Sequence, residues 1–309
     1  MSDSVNTGTN AMVFVHSKVP ELAMTAEILG TERSGHGVRI RADGLIATAG
    51  YLVLEAEHIW IRSQQGKGAP GYIVAQDYDS GITLLKPTLP LEGDYLNPGP
   101  SDDLSLDEPL LVYRSGHEEA FPCELFAREE FAGRWEYLLD YALLTSPGCN
   151  DWAGAALVDQ YGRLCGVGSL LMELPGESDE ELLGNMFIPI DLVSPYLEEM
   201  CEHGQRRVPP KPWMGALIQE YEGKLVVTSV YPGCPADQAG IKPGNIVLSV
   251  DNEPVYDLSG LFRKVWSLGS AGVEIPMLIS SGGDLRHCRL KSIDRSVFYR
   301  AVAAAGQVN

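Results

Sequence analysis

The sequence predicts a mainly β protein of about two domains, and three features carry this prediction. Apolar residues make up 45% and charged residues 21% of the 309 residues, as in soluble globular proteins. The 33 glycines and 20 prolines keep apolar runs short, which favours many strands joined by turns over long helices. A single proline-rich segment then divides the chain at residues 205–211.

Short β-favouring runs follow one another through the part of the chain before this segment. Asp43-Gly44 lies between two of them and is a strong hairpin-turn signal, and a turn ending at Gly162 joins another pair. The acidic stretch 177–181 is predicted to be a solvated surface loop. The predicted strands contain residues 13–15, 37–40, 45–48, 59–61, 82–85, 156–158 and 164–167.

A short amphipathic helix over residues 191–201 is predicted to close the first domain, since its apolar side chains recur at helical spacing. Three prolines within residues 209–212 then favour an extended connector. The predicted organisation is a first domain at 1–204, a linker at 205–211, a second domain at 212–295 and a C-terminal tail at 296–309.

Charge and cysteine placement narrow the range of functions. The formal net charge of −19 opposes binding to nucleic acid and to anionic membrane surfaces. No apolar run approaches the ~18 residues that a membrane-spanning helix needs. The six cysteines are scattered without metal-site spacing, so we expect neither a metal nor another cofactor. Reduced thiols and the lack of a recognisable secretory leader favour a cytoplasmic location, and a precursor whose leader has been removed stays open as the alternative.

Residues 35–86 resemble the first barrel of the HtrA family of trypsin-like serine proteases. A glycine-rich strand and an Asp-Gly hairpin lead to the position of the family's catalytic histidine, which is Tyr51 here. The stretch 77–86 is similar to the family's aspartate-bearing strand and places Gly81 at the catalytic aspartate.

The nucleophile block of the same family, Gly-x-Ser-Gly-Gly, is similar to residues 151–158, with Ala153 at the serine position. The following stretches 159–167 and 187–191 also resemble the family's pattern. Serine proteolysis needs a hydroxyl, an imidazole base and a carboxylate that orients the base. Alanine has no nucleophilic atom, glycine cannot orient a base, and a phenol with a pKa of about 10 is a poor base. We therefore predict that the protein is not an enzyme.

Residues 212–292 resemble a PDZ domain of the HtrA type, most specifically over 230–251, which are similar to the core PGSPAxxAGLxxGDxIxxVNG. The resemblance therefore implies a chymotrypsin-like double β-barrel followed by a PDZ domain. It also implies that the loop Trp213-Met214-Gly215-Ala216 receives a peptide C-terminus, with the backbone N–H groups of the last three residues holding the carboxylate. Trp213 is either a wall of the pocket or a packing contact with the linker.

The next strand, which includes Leu217 and Ile218, is expected to pair with an extended peptide. The facing helix is predicted over 258–268. Its side chains Leu261, Phe262 and Val265 are candidates for the peptide pocket, and they fit an ordinary domain core equally well.

The leading functional hypothesis is a non-catalytic pseudoprotease that binds protein or peptide C-termini as a scaffold, adaptor or chaperone-like factor. The resemblance implies a homo-oligomer, since HtrA relatives commonly form trimers. Two alternatives stay open. One is a hydrolase with displaced catalytic residues, for which Cys149, Ser146, His117 and His36 are the candidates. The other is a docking subunit of a larger complex that binds no free peptide.

Overall fold

A computed structural model describes residues 8–175 and 181–306, which form two units by their internal packing. The first unit holds the described residues up to Glu129 together with Tyr141–Arg207. The second holds Glu130–Asp140 together with the described residues from Val208 onward. A segment from the middle of the chain therefore belongs to the C-terminal unit. The acidic loop predicted at 177–181 lies outside the described residues, apart from its last residue.

The first unit begins with a closed antiparallel barrel of six strands, in the order β1-β2-β3-β6-β5-β4. Along β4 the side chains alternate between buried and exposed, the period of two that a strand with one wet face requires. A short helix, α1, at Ala26–Leu29 lies between the first two strands. The strands are β1 Met12–Lys18, β2 Glu32–Arg39, β3 Ile46–Ala49, β4 His58–Ser63, β5 Gly68–Asp77 and β6 Ile82–Pro87.

The second barrel also closes from six antiparallel strands, in the order β10-β11-β12-β9-β8-β7. Its interior is apolar, and Phe187 and Leu157 are among the side chains with no exposed surface. The strands are β7 Pro109–Tyr113, β8 Phe121–Gly133, β9 Tyr137–Ser146, β10 Ala156–Val158, β11 Leu164–Pro175 and β12 Glu181–Pro189. Every strand predicted from sequence in the two barrels overlaps an observed one.

The single helix predicted over residues 191–201 is wrong in its first half. Two 3₁₀ turns, Ile190–Leu192 and Ser194–Tyr196, precede a shorter helix, α2, at Leu197–His203. Pro195 has no N–H to donate and its ring clashes with the preceding turn, so a continuous α-helix through it is disfavoured. The helical spacing of the apolar residues gives no sign of this break.

The second unit contains a six-stranded sheet with the path β13-β14-β15-β17-β18, and β16 pairs with β15. Helix α4 begins after the capping residue Asp257, whose carboxylate accepts the N–H of Gly260. The residues assigned to a C-terminal tail are helical as far as Gly306. The elements are β13 Ala216–Tyr221, β14 Lys224–Val230, α3 Pro235–Gln238, β15 Ile246–Val250, β16 Glu253–Pro254, α4 Leu258–Ser267, β17 Glu274–Ser281, β18 Asp284–Lys291 and α5 Arg295–Gly306.

The predicted mainly β architecture is confirmed, with two closed barrels followed by a smaller sheet and its helices. Among the described helices, none combines the length and the apolar character that crossing a bilayer demands.

The second barrel offers a test of its core. Replacing Phe187 with alanine removes a side chain with no exposed surface and should lower the free energy of unfolding by about 3–5 kcal/mol. Leu106→Ala removes a side chain that is 62% exposed, and should change it by less than about 0.5 kcal/mol. Urea denaturation of both variants checks the prediction, and equal losses would contradict it.

Candidate functional site

Strand pairing brings two of the three positions that correspond to the family's catalytic triad to the same end of the first barrel. Strands β3 and β6 pair with Ala49 opposite Ile82, so Tyr51 and Gly81 lie just beyond the paired ends. The N–H of Gly50 donates to the carbonyl of Gly81 at 2.7 Å, which fixes this approach.

The third position, Ala153, comes from the second barrel. Its carbonyl accepts the N–H of His36 at 2.7 Å, which ties it to the first-barrel strand β2. Ala153 and Tyr51 also pack against one apolar cluster that includes Leu52. The structure therefore brings Tyr51, Gly81 and Ala153 to one place between the two barrels.

The hydroxyl of Tyr51 forms a hydrogen bond in the cleft between the two barrels. It donates to the carbonyl of Ser169 at 2.8 Å, and the indole N–H of Trp152 donates to the same oxygen at 3.1 Å. Burial raises the pKa of Tyr51 above its ordinary value. A phenol in this setting keeps its proton at neutral pH and serves as a structural donor.

His36 is the histidine nearest to Ala153 in the hydrogen-bond network, and it is held in the neutral form. Its ring is buried, and Nδ1 accepts the backbone N–H of Ser115 at 3.0 Å. Burial lowers the pKa of His36 to about 4, against a smaller opposing effect of Asp151. Because Nδ1 already accepts a backbone hydrogen bond, this imidazole has a structural role.

The acidic residues that precede Gly81 also have structural partners. Asp77 is buried, and its carboxylate accepts the N–H of Ser80 at 3.2 Å. The guanidinium of Arg206 lies 2.9 Å from Asp77 and 3.5 Å from Asp79. These carboxylates therefore bind an arginine and a turn of the backbone.

The displaced-nucleophile candidates show a similar pattern. Cys149 lies in the apolar core of the second barrel, where burial raises the pKa of its thiol. Its N–H and carbonyl are both bonded to the side chain of Asn185. His117 is half-buried, and its Nε2 lies 3.7 Å from the carboxylate of Asp151. A buried thiol with a raised pKa is a weak nucleophile.

The second unit contains the predicted carboxylate-binding loop. Gly215 has φ +83°, and a Cβ there would lie 2.4 Å from the Cβ of Cys234, so both conformation and space require glycine. Trp213 is buried beside α5, with its ring centroid 5.0 Å from that of Phe298 and 6.0 Å from that of Tyr299. Trp213 is thus a packing contact with this helix.

The N–H groups of this loop bind a carboxylate that the chain itself supplies. Met214 donates to Oε2 of Glu136 at 2.9 Å. Gly215 and Ala216 donate to Oε1 of the same residue at 2.7 and 3.1 Å. Glu136 is buried at 4% exposure and lies in the segment 130–140, which packs within the second unit.

The rest of that segment lies along the strand and the helix expected to bind a peptide. Ile218 donates its N–H to the carbonyl of Arg134 at 2.9 Å. Leu138 is buried in the apolar cluster that also contains the following predicted site residues: Ala216, Ile218, Leu261, Phe262 and Val265. Leu217 is buried as well. The three helix side chains are therefore part of a core that the segment helps to complete.

Sequence reasoning missed Glu136 and the arginine that supports it. Arg295, the first residue of α5, donates to the carbonyls of Trp135 and Glu136 at 2.9 and 2.7 Å. The available signal was the stretch Gly133-Arg134-Trp135-Glu136-Tyr137, a short polar turn between β-favouring runs. Nothing local in that stretch indicates a partner loop some eighty residues later.

Comparison with known proteins gives the class to which these features belong. The profile of trypsin-like peptidase domains matches residues 35–167, and the profile of PDZ domains matches residues 226–267. The chain is therefore a trypsin-like peptidase fold joined to a PDZ domain.

Relatives and solved structures agree with this class. A probable periplasmic DegP-like serine endoprotease of Hahella chejuensis is 24% identical over 274 residues, covering 82% of this chain and 55% of that protein. The serine endoprotease DegS of Escherichia coli is 23% identical over 262 residues, covering 79% and 72%. The HtrA-type protease AlgW with a tripeptide aligns with a TM-score of 0.54 at 18% identity, covering 94% of this chain and 96% of that one.

These findings show that the chain is similar to HtrA-type proteins over most of its length, and its predicted fold, a double barrel followed by a PDZ domain, is confirmed. The chain spans about half the length of the DegP-like relative.

The buried His36 predicts a pH dependence of stability. Between the ordinary pKa of histidine and a folded-state pKa of about 4, the unfolded chain binds a proton that the folded chain does not. Stability should therefore fall as the pH falls through this window, by on the order of 3 kcal/mol for this one group.

Urea denaturation gives the free energy of unfolding of the wild type and of His36→Gln at each pH from about pH 7 to pH 4.5. The difference between the two slopes of this free energy against pH measures the contribution of His36. The exposed His58→Gln is the matched control and should keep the wild-type slope. Parallel curves for the wild type and His36→Gln would contradict the prediction.

Proposed function

We propose that this protein is a non-catalytic HtrA-like pseudoprotease whose PDZ domain binds protein or peptide C-termini, as a scaffold, adaptor or chaperone-like factor. The observation that carries the binding part is the convergence of the N–H groups of Met214, Gly215 and Ala216 on one carboxylate. Three backbone donors aimed at a single anion are what a terminal carboxylate requires.

The absence of catalysis is supported by the groups at the three positions that correspond to the triad. Ala153 offers no nucleophilic atom, and Gly81 offers no carboxylate. The hydroxyl of Tyr51 donates to the carbonyl of Ser169. Without a base hydrogen-bonded to a nucleophile, the acyl-transfer chemistry of this fold has no first step.

The displaced-nucleophile alternative gains no support from the candidates. The thiol of Cys149 is in the barrel core with a raised pKa. The imidazole of His36 is bonded through Nδ1 to the backbone of Ser115. Both groups have structural roles that a catalytic role would disrupt.

We extend the proposal to assembly and location. A homo-oligomer, with a trimer as the specific expectation, follows from the resemblance to HtrA proteins, and light scattering coupled to size exclusion measures its mass. A cytoplasmic location is consistent with six cysteines that all have free thiols. The docking-subunit alternative predicts that no free peptide binds.

Loss of catalysis has a direct test. The wild-type protein should hydrolyse neither casein nor a peptide library above background, and a fluorophosphonate probe should leave it unlabelled. Ala153→Ser should stay inactive as well, because Tyr51 cannot take the proton from the new hydroxyl at neutral pH.

Active trypsin in the same assays is the positive control. Cys149→Ala and Ser146→Ala are the matched variants for a displaced nucleophile. Wild-type turnover that either variant abolishes would contradict the proposal.

A further inference from the structure

The turn that supplies Glu136 has an unusual residue at a demanding position. Residues 134–136 connect β8 to β9, and Glu136 has φ +57°. In a three-residue hairpin loop the last position takes the left-handed conformation, where glycine is favoured. A glutamate there costs on the order of 1 kcal/mol in backbone conformation.

The side chain of Glu136 carries a second cost, because its carboxylate is buried. Burial raises the pKa of Glu136, while Arg295 and the N–H groups of Met214, Gly215 and Ala216 act in the opposite direction. A buried carboxylate is tolerated only when hydrogen-bond donors replace the lost water. Three backbone donors meet that need.

The same three N–H groups are the ones that a peptide's terminal carboxylate would use. They cannot serve two carboxylates at once. We propose that Glu136 is a built-in ligand of the PDZ domain, and that a protein C-terminus binds only by displacing the turn 134–136. This inference rests on the proposed binding function and assigns its regulation.

The turn and the stem of its hairpin also contact the strand and the helix that would bind a peptide. The carbonyl of Arg134 accepts from Ile218 on β13, the strand that would pair with a peptide. Helix α4 holds the stem of the hairpin, where Arg263 contacts Glu130 and Asp140, the latter at 2.6 Å. A peptide in this groove and the hairpin would therefore exclude each other.

Arg295, at the start of α5, also contacts the turn. Its guanidinium donates to the carbonyls of Trp135 and Glu136 and lies over the ring of Trp213 at 5.7 Å. Its hydrogen bonds are to the backbone of the turn, while its charge also favours the ionised carboxylate of Glu136. It is therefore a positioning residue whose loss should weaken the built-in ligand while leaving the N–H groups of the loop in place.

Glu136→Gly is the decisive variant, because it removes the carboxylate and also relieves the left-handed backbone. The matched control is Glu222→Gly, in the exposed turn after β13, where the glutamate also has a positive φ of 49°. Both full-length proteins are titrated with a pool of decapeptides that have an apolar last residue and a free C-terminus. The same pool with amidated C-termini tests the need for a carboxylate.

Glu136→Gly should bind the free-carboxylate pool at least about tenfold more tightly than the wild type, since apparent affinity falls with the fraction of competent sites. Glu222→Gly should match the wild type. Arg295→Ala should fall between the wild type and Glu136→Gly. Equal affinity of the wild type and Glu136→Gly would overturn the inference and leave the proposed function standing.

A pool that binds none of the four proteins would overturn the proposed function, and with it the competition. Amide hydrogen exchange at residues 214–216 gives a readout that needs no peptide. Exchange should accelerate in Glu136→Gly and slow again when the pool is added, and unchanged exchange in Glu136→Gly would overturn the inference. Glu136→Gln keeps the side-chain shape and one acceptor oxygen, so it should give an intermediate affinity if Glu136→Gly does not fold.

Discussion

Three backbone N–H groups that point at one buried spot are the constraint on which the second unit depends. Backbone donors removed from water must find an acceptor, and an anion is the acceptor that satisfies several at once. The left-handed Gly215 turns the loop so that its own N–H and those of Met214 and Ala216 converge. A single carboxylate, from this chain or from another, satisfies all three donors at once.

In the cleft between the barrels, by contrast, the polar side chains form hydrogen bonds within the protein. Tyr51 and Trp152 share the carbonyl of Ser169 as acceptor, and His36 receives a backbone hydrogen bond at Nδ1. Each of these polar groups has a hydrogen-bond partner within the protein, which is the arrangement that stabilises a packed interior.

The sequence predicts the architecture well because the signals for it are local. Alternation along β4 and the Asp43-Gly44 turn depend on neighbouring residues alone. The break at Pro195 was also a local signal, and the apolar spacing obscured it. The loop that includes Gly215 was recognised by resemblance, which carries over only what a family shares.

The contact between Glu136 and Gly215 could not be predicted in the same way. It joins residues 79 positions apart, and neither end has a pattern that names the other. The choice between pocket and core for Leu261 and Val265 has the same origin, since Leu138 enters their cluster from the same distant hairpin. Residue periodicity predicts which face of a helix or strand is apolar, whereas this site depends on which distant segment covers that face.

The balance between the built-in carboxylate and a competing one depends on strain and tethering. A peptide C-terminus would make the N–H contacts without the left-handed conformation that Glu136 adopts, an advantage on the order of 1 kcal/mol. The hairpin is covalently tethered, which gives it an effective concentration on the order of millimolar. A partner at lower concentration must therefore gain from further contacts along β13 and α4. This competition favours a partner that fills the whole groove over one that offers a carboxylate alone.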